Sequence, residues 1–177
     1  MKKYIILSVC ALVALIVLSF IWGNSAQTGQ SSGALSAKVQ EIINDILHTV
    51  GIRGSVSHYF VRKAAHFSEY MVFSAASALA VVYLFRVFFK KTVKVSLLSA
   101  LIALPMSAIV ALTDEFVIQA NTAGRGPRLT DVLIDLGGAA TGVLLAIAAA
   151  YVFYAVRHRN ANKNAAAGGE TSAAGLH

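Results

Sequence analysis

The sequence predicts an all-α membrane protein, with four transmembrane helices and an amphipathic interfacial helix between the first and second spans. Composition points there first: 57% of the 177 residues are hydrophobic and only 13% are charged, against about 25% in an ordinary soluble domain. Mean hydropathy is +0.69. Second, four apolar runs each approach the roughly 20 residues that cross a hydrocarbon core of about 30 Å. Third, the polar and charged residues gather at the ends of those runs. One domain, residues 1–156, is expected, with spans at about 4–22, 64–85, 95–116 and 133–156. The net charge of +7 does not indicate nucleic acid, because the basic residues lie beside apolar runs, where the positive-inside rule puts them.

Lys2 and Lys3 precede a charge-free run from Tyr4 to Trp22. A cleaved signal peptide fits it poorly, since such an apolar region is about 7–15 residues long and a cut after Ala26 would put Asn24 where a small residue belongs. Cys10, the single cysteine, lies in this run and says nothing about redox compartment. Asn24 to Gly33, rich in Ser, Gly and Gln, reads as a loop. Leu35, Val39, Ile42, Ile43, Ile46, Leu47 and Val50 then recur at helical spacing among Lys38, Glu41, Asn44 and Asp45. That segment, 35–50, is too polar to span; it lies on the membrane surface or caps the bundle.

The second run is charge-free from Tyr70, but its first turns carry Arg62, Lys63, His66 and Glu69. Counting about 20 residues back from Arg86 puts His66 and Glu69 near one interface. The third run contains Pro105, which membrane helices tolerate with a kink, and ends at Asp114, Glu115 and Gln119. Ala120 to Leu129 reads as a loop, and the fourth helix follows, with Thr130 or Asp131 as its N-cap. The Ala/Gly/Ser/Asn-rich remainder, 157–177, reads as a disordered cytoplasmic tail. His48 and His58 read as solvated or interfacial.

Four spans put both termini on one side. Lys2, Lys3, Arg86, Lys90, Lys91, Lys94, Arg157, Arg159 and Lys163, nine of the 15 Lys and Arg, then face the cytoplasm, opposed only by Glu170. With that orientation Glu69, Asp114, Glu115, Asp131 and Asp135 come from three helices to one depth at the outer face, together with His66, Gln119, Arg125 and Arg128.

Helical spacing sorts these side chains. Lys63, His66 and Tyr70 share a face, with Glu69 adjacent and Ser74 and Ser77 continuing inward. Glu115 and Gln119 are one turn apart, with Asp114 about 100° round. Asp131, Asp135, Gly138 and Gly142 form one stripe; the glycine pair, in GxxxG spacing, is assigned to helix packing. The carboxylates have three readings. They pair with Arg62, Lys63, Arg125 and Arg128 and hold the helix tops. Or Arg125 and Arg128, just before a helix N-terminus, form an anion site. Or His66, Glu69, Asp114 and Glu115 act as acid and base or hold a divalent metal, although no tight ligand spacing such as HExxH is present.

At these residues the chain resembles the VanZ-like family of small bacterial membrane proteins. Arg62 to Tyr70 is similar to a K-x-x-H-F-x-E-Y signature; further blocks are Thr113-Asp114-Glu115 with Gln119, Gly124-Arg125, and Asp131 with Gly138 and Gly142. Asn24 to Gly29 resembles the family's polar segment after the first helix, and the likeness runs over about residues 4 to 155. Asp135 stands where the family usually has Asn, which opens a pairing with Arg125. The resemblance implies an association with low-level resistance to teicoplanin, a lipoglycopeptide acting at the outer membrane face. It brings no established reaction.

The expectation is a bacterial cytoplasmic membrane protein, multi-pass, that lowers lipoglycopeptide susceptibility through an outward-facing polar site and is not an enzyme. The ligand-contact candidates are Lys63, His66, Glu69, Tyr70, Asp114, Glu115, Gln119, Arg125, Asp131 and Asp135. Expected partners are membrane lipid and a lipid-linked or glycopeptide ligand; no cofactor is expected. The alternative class is a membrane-embedded hydrolase or transferase acting on a lipid headgroup or lipid phosphate, with a divalent metal. A transporter fits less well, because polar residues at one end leave no continuous polar path.

Overall fold

The computed structural model describes residues 2–89 and 92–174, with side chains as far as residue 160. Five helical stretches follow one another: α1 (Lys2–Ser25), α2 (Gly29–Thr49), α3 (His58–Val87), α4 (Val93–Asn121) and α5 (Leu129–Ala174). α1, α3, α4 and α5 are long and apolar enough to cross a membrane. The protein is therefore an all-helical, multi-pass membrane protein. Lys90 and Lys91, counted toward the inner loop, lie outside the described residues, as do the side chains of Lys163 and Glu170.

α3 is the central helix: α1, α4 and α5 all pack on it, and its contact with α5 is the most extensive. The core is built from small residues, Ala76, Ala78, Ala100, Ala103, Ala111, Ala139 and Ala146, with Ser74, Ser77 and Ser107 buried among them. That is how helices associate in lipid, where close approach and dispersion replace the hydrophobic drive. Gly138 and Gly142 set the α3–α5 spacing. A Cβ at Gly138 would overlap the Phe67 carbonyl, and one at Gly142 the Met71 carbonyl. α1 buries only Ala14, Ile21 and Ser25 and turns most of its surface outward.

Several boundaries differ from the sequence reading. α1 continues through Asn24 and Ser25, and α2 starts at Gly29, so the expected ten-residue loop shrinks to 26–28. Thr28 is the reason: its Oγ1 accepts the Ser31 N–H and caps α2. α3, in contrast, starts where its charged first turns suggest, capped by Ser57, whose Oγ accepts the Phe60 N–H. α5 begins at Leu129, which moves Thr130 and Asp131 from the N-cap into the first turn. Its backbone stays helical to Ala174, past the expected end near 156; the Ala-rich stretch favours that conformation. In α4 the turn Ala100–Ile102 tightens to 3-10 geometry just before Pro105, which lacks an N–H and crowds the carbonyl four residues back.

α2 has no buried residue. Leu35, Val39, Ile42 and Ile46 lie exposed along one stripe, as in a helix resting on the headgroup–acyl boundary. Its polar side anchors it: Gln40 Nε2 donates to the Val56 carbonyl at 2.9 Å, and Asn44 Oδ1 accepts the Val56 N–H at 2.8 Å. His58 Nε2 lies 3.1 Å from the Gly33 carbonyl, while His48 is exposed.

Candidate functional site

The site begins where α4 ends. Asp114–Ile118 winds as a π-helix, so the Gln119 N–H reaches the Asp114 carbonyl five residues back. Such wide turns inside α-helices recur at functional sites. Widening reduces the rotation per residue, and both Asp114 and Glu115 point inward at 0% exposure. Gln119 serves both: its Nε2 donates to Asp114 Oδ2 at 3.0 Å and to Glu115 Oε2 at 2.7 Å.

The other helices add partners. Ser25 Oγ, at the end of α1, donates to Asp114 Oδ2 at 3.0 Å, and Asn24 Nδ2 donates to Glu69 Oε1 at 3.0 Å. Lys63 on α3 is ion-paired with Asp131 on α5, and Thr130 Oγ1 also donates to that carboxylate at 3.2 Å. One turn deeper, His66 Nδ1 faces Asp135 Oδ1 at 3.5 Å, too long for a strong hydrogen bond. Tyr70 is fully buried beneath them.

The loop 122–128 closes the top. Gly124, at φ 74°, takes the left-handed conformation that glycine adopts without strain. It lies against Gly29, whose N–H donates to the Ala123 carbonyl at 3.0 Å; a Cβ on Gly29 would strike the Gly124 carbonyl. This seam aims Arg125 inward. Its Nη1 donates to Gln119 Oε1 at 3.2 Å and its Nη2 to the Asn24 carbonyl at 3.0 Å. Burial pulls the guanidinium down from its ordinary value, and the neighbouring Arg62 adds to that.

A cavity of about 90 Å³ opens here, large enough to hold water or a small polar group. Arg62, His66 and Glu69 line it from α3, Asn24 and Ser25 from α1, and Arg125 from the loop. Ser32, Leu35 and Ser36 also line it, so the first turns of α2 form one wall. Among the described residues, every buried side-chain polar atom without a partner belongs to this region or to the helix interior beneath it: His66 Nδ1, Tyr70 Oη, Ser74 Oγ, Ser107 Oγ, Asp114 Oδ1, Arg125 Nε and both Asp135 oxygens. Orphaned buried groups cost about 1–3 kcal/mol each. Hydrogen-bonding capacity is thus concentrated in one part of the bundle. No three His, Cys, Asp or Glu side chains among the described residues are gathered closely enough to hold a metal ion. His66, Glu69, Asp114 and Glu115 therefore do not form a preassembled metal centre.

All ten ligand-contact candidates fall in or around this cluster, in a different pairing from several expectations. Lys63 spends its charge on Asp131 and does not line the cavity; Arg62 does. Asp135 meets His66 rather than Arg125. One of the N–H groups before α5, where an anion site was expected, already meets an anion: Glu115 Oε1 accepts the Arg128 N–H at 2.5 Å. The Arg128 residue itself is exposed. Asn24 and Ser25 escaped as site residues because they read as loop. Ser107, two turns below Asp114, carried only the weak signal of one hydroxyl in an apolar run.

The architecture defines a class: a four-span helical membrane protein with a buried, acid-rich polar site at one end of its bundle. The family model described as VanZ/LLP1 matches residues 6–153, and the chain belongs to that family. Comparison with curated proteins and with solved structures gives no significant match.

Proposed function

We propose that the cavity binds an anionic group, a phosphate or carboxylate, of a lipid-linked or peptidic ligand of the cell envelope. By that binding the protein lowers susceptibility to lipoglycopeptide antibiotics such as teicoplanin. The observation that carries this reading is the convergence of Arg62 and Arg125, with the Asn24 amide and the Ser32 hydroxyl, on one small cavity. Arg125 keeps a spare donor, Nε. Glu69, on the same cavity, takes a cationic or hydroxyl part of the ligand. In this reading the termini face the cytoplasm, as the distribution of Lys and Arg favours, and the cavity opens at the outer face of the cytoplasmic membrane.

The test is teicoplanin susceptibility in cells carrying an empty vector, the wild-type protein or Arg125→Ala. Wild type is expected to raise the inhibitory concentration, and Arg125→Ala to return it toward the vector level at equal protein abundance. Identical susceptibility with and without the wild-type protein would sink the resistance role.

A second reading is supported by His66 against Asp135. A carboxylate behind an imidazole holds its orientation and stabilises its charged form, and Glu69 shares the cavity with His66. In this reading the protein is a hydrolase or transferase acting on a lipid phosphate, with His66 as general base. Phosphate release from a lipid pyrophosphate by purified protein, abolished by His66→Ala, would favour it over simple binding; no release would remove it.

A further inference from the structure

The carboxylate site occupies one end of the bundle; the other end carries a cleft of a different kind. α1 and α5 both pack on α3 and make no substantial contact with each other among the described residues. The gap between them opens at the start of α1 into a cavity of about 390 Å³. Lys2 and Lys3 line it from the first turn of α1, Arg86 from the last turn of α3, and Arg157 and His158 from α5. No acidic residue is among its lining groups. Tyr83 and Tyr154 lie between the basic side chains, each able to donate a phenolic hydrogen bond.

We propose that this cleft binds the phosphate of an anionic membrane lipid. Basic residues at the ends of transmembrane helices need no ligand to explain them, because the positive-inside rule places them there. Here, however, they come from three separate helices to a single concavity, with no carboxylate to neutralise them. The walls argue for a lipid over a soluble phosphate. Ile6 and Phe153 line the cleft. Phe153 is more than half exposed, and its outer surface is one that acyl chains would cover. A headgroup can sit among the Lys and Arg while its chains run down the open seam between α1 and α5. Basic pockets between transmembrane helices recognise anionic headgroups in this way.

The test uses the full-length chain in a neutral detergent and reads lipid retained in native mass spectra and the melting temperature. Phosphatidylglycerol is expected to bind and to raise the melting temperature, with zwitterionic phosphatidylcholine doing neither. Arg86→Gln with Arg157→Gln is expected to weaken phosphatidylglycerol binding about 25-fold, from roughly a factor of five per basic residue near an anionic surface. Arg86→Lys with Arg157→Lys, which keeps the charge, is expected to retain most of it; this distinguishes loss of a site from loss of fold. Equal binding of the two lipids by the wild-type protein would overturn the proposal, as would undiminished binding by the Gln variant. Inorganic phosphate giving the same stabilisation as the lipid would overturn the lipid assignment. None of these readouts involves Arg125 or teicoplanin, so the proposal stands or falls apart from the function assigned to the other end.

Discussion

Asp135 lies opposite His66, Oδ1 to Nδ1 at 3.5 Å, with both carboxylate oxygens otherwise unpartnered and the side chain fully buried. A buried carboxylate whose one close partner is an imidazole should be energetically coupled to it. A double-mutant cycle of His66→Ala and Asp135→Asn, followed by thermal or denaturant unfolding in detergent, is expected to show a coupling of about 1–3 kcal/mol. Additive effects would mean that the two groups merely lie near each other.

Lys63 and Asp131 are ion-paired, with side-chain exposures of 12% and 5%. Removing one partner from a buried pair typically costs about 3–5 kcal/mol, while replacing both is often nearly neutral. Lys63→Met is therefore expected to destabilise the protein by roughly 3 kcal/mol, and Lys63→Met with Asp131→Asn to recover most of that. A double variant as unstable as Lys63→Met would show that Lys63 contributes chiefly by packing.

Gln119 places its amide between two carboxylates and takes the Arg125 hydrogen bond on its oxygen. Gln119→Leu strips a donor from Asp114 and Glu115 and an acceptor from Arg125, at roughly 1–3 kcal/mol per orphaned buried group. The melting temperature should fall by more than in either variant of the His66–Asp135 cycle. Gln119→Glu should be worse still, since it adds a carboxylate to that cluster. Near-native stability for both would refute the clamp.

Gly142 meets the Met71 carbonyl where a Cβ would stand. A neighbouring side chain can rotate away, but a helix backbone can yield only if the whole of α3 shifts. Gly142→Val is expected to cost about 3 kcal/mol or more, at or above the usual range for overpacking. Fluorescence-detected gel filtration should show loss of the monodisperse peak. Gly23→Val, where a Cβ has open space, is the control.

The proposed orientation can be read chemically. Cys10 is the single cysteine, so a Cys10→Ala background is clean. His48→Cys in α2 is expected to react with a membrane-impermeant maleimide in intact cells. Arg159→Cys is expected to react only after permeabilisation. The reverse pattern would turn the carboxylate site toward the cytoplasm.

What was legible in the sequence was what depends on position along the chain. Run length gives the four spans, and counting from Arg86 puts His66 and Glu69 at one level. The 3.6-residue period separates the stripe of α2 from its polar face. The GxxxG pair is a local signature of close approach, and Gly138 and Gly142 lie against the Phe67 and Met71 carbonyls. Rotation about each helix axis and partners distant in sequence were a matter for the tertiary structure. Glu69 finds Asn24 45 residues away, Lys63 finds Asp131 68 away, and Ser25 finds Asp114 89 away. A π turn at Asp114–Ile118 changes which residues face inward, and nothing in the local pattern marks it. Each residue turns an α-helix by about 100°, so the rotation of α5 against α3 decides that Asp131 meets Lys63 and Asp135 meets His66. That the site's residues lie at the ends of apolar runs follows from hydropathy and length. Its pairing follows from helix rotation, and that is settled only when the helices pack.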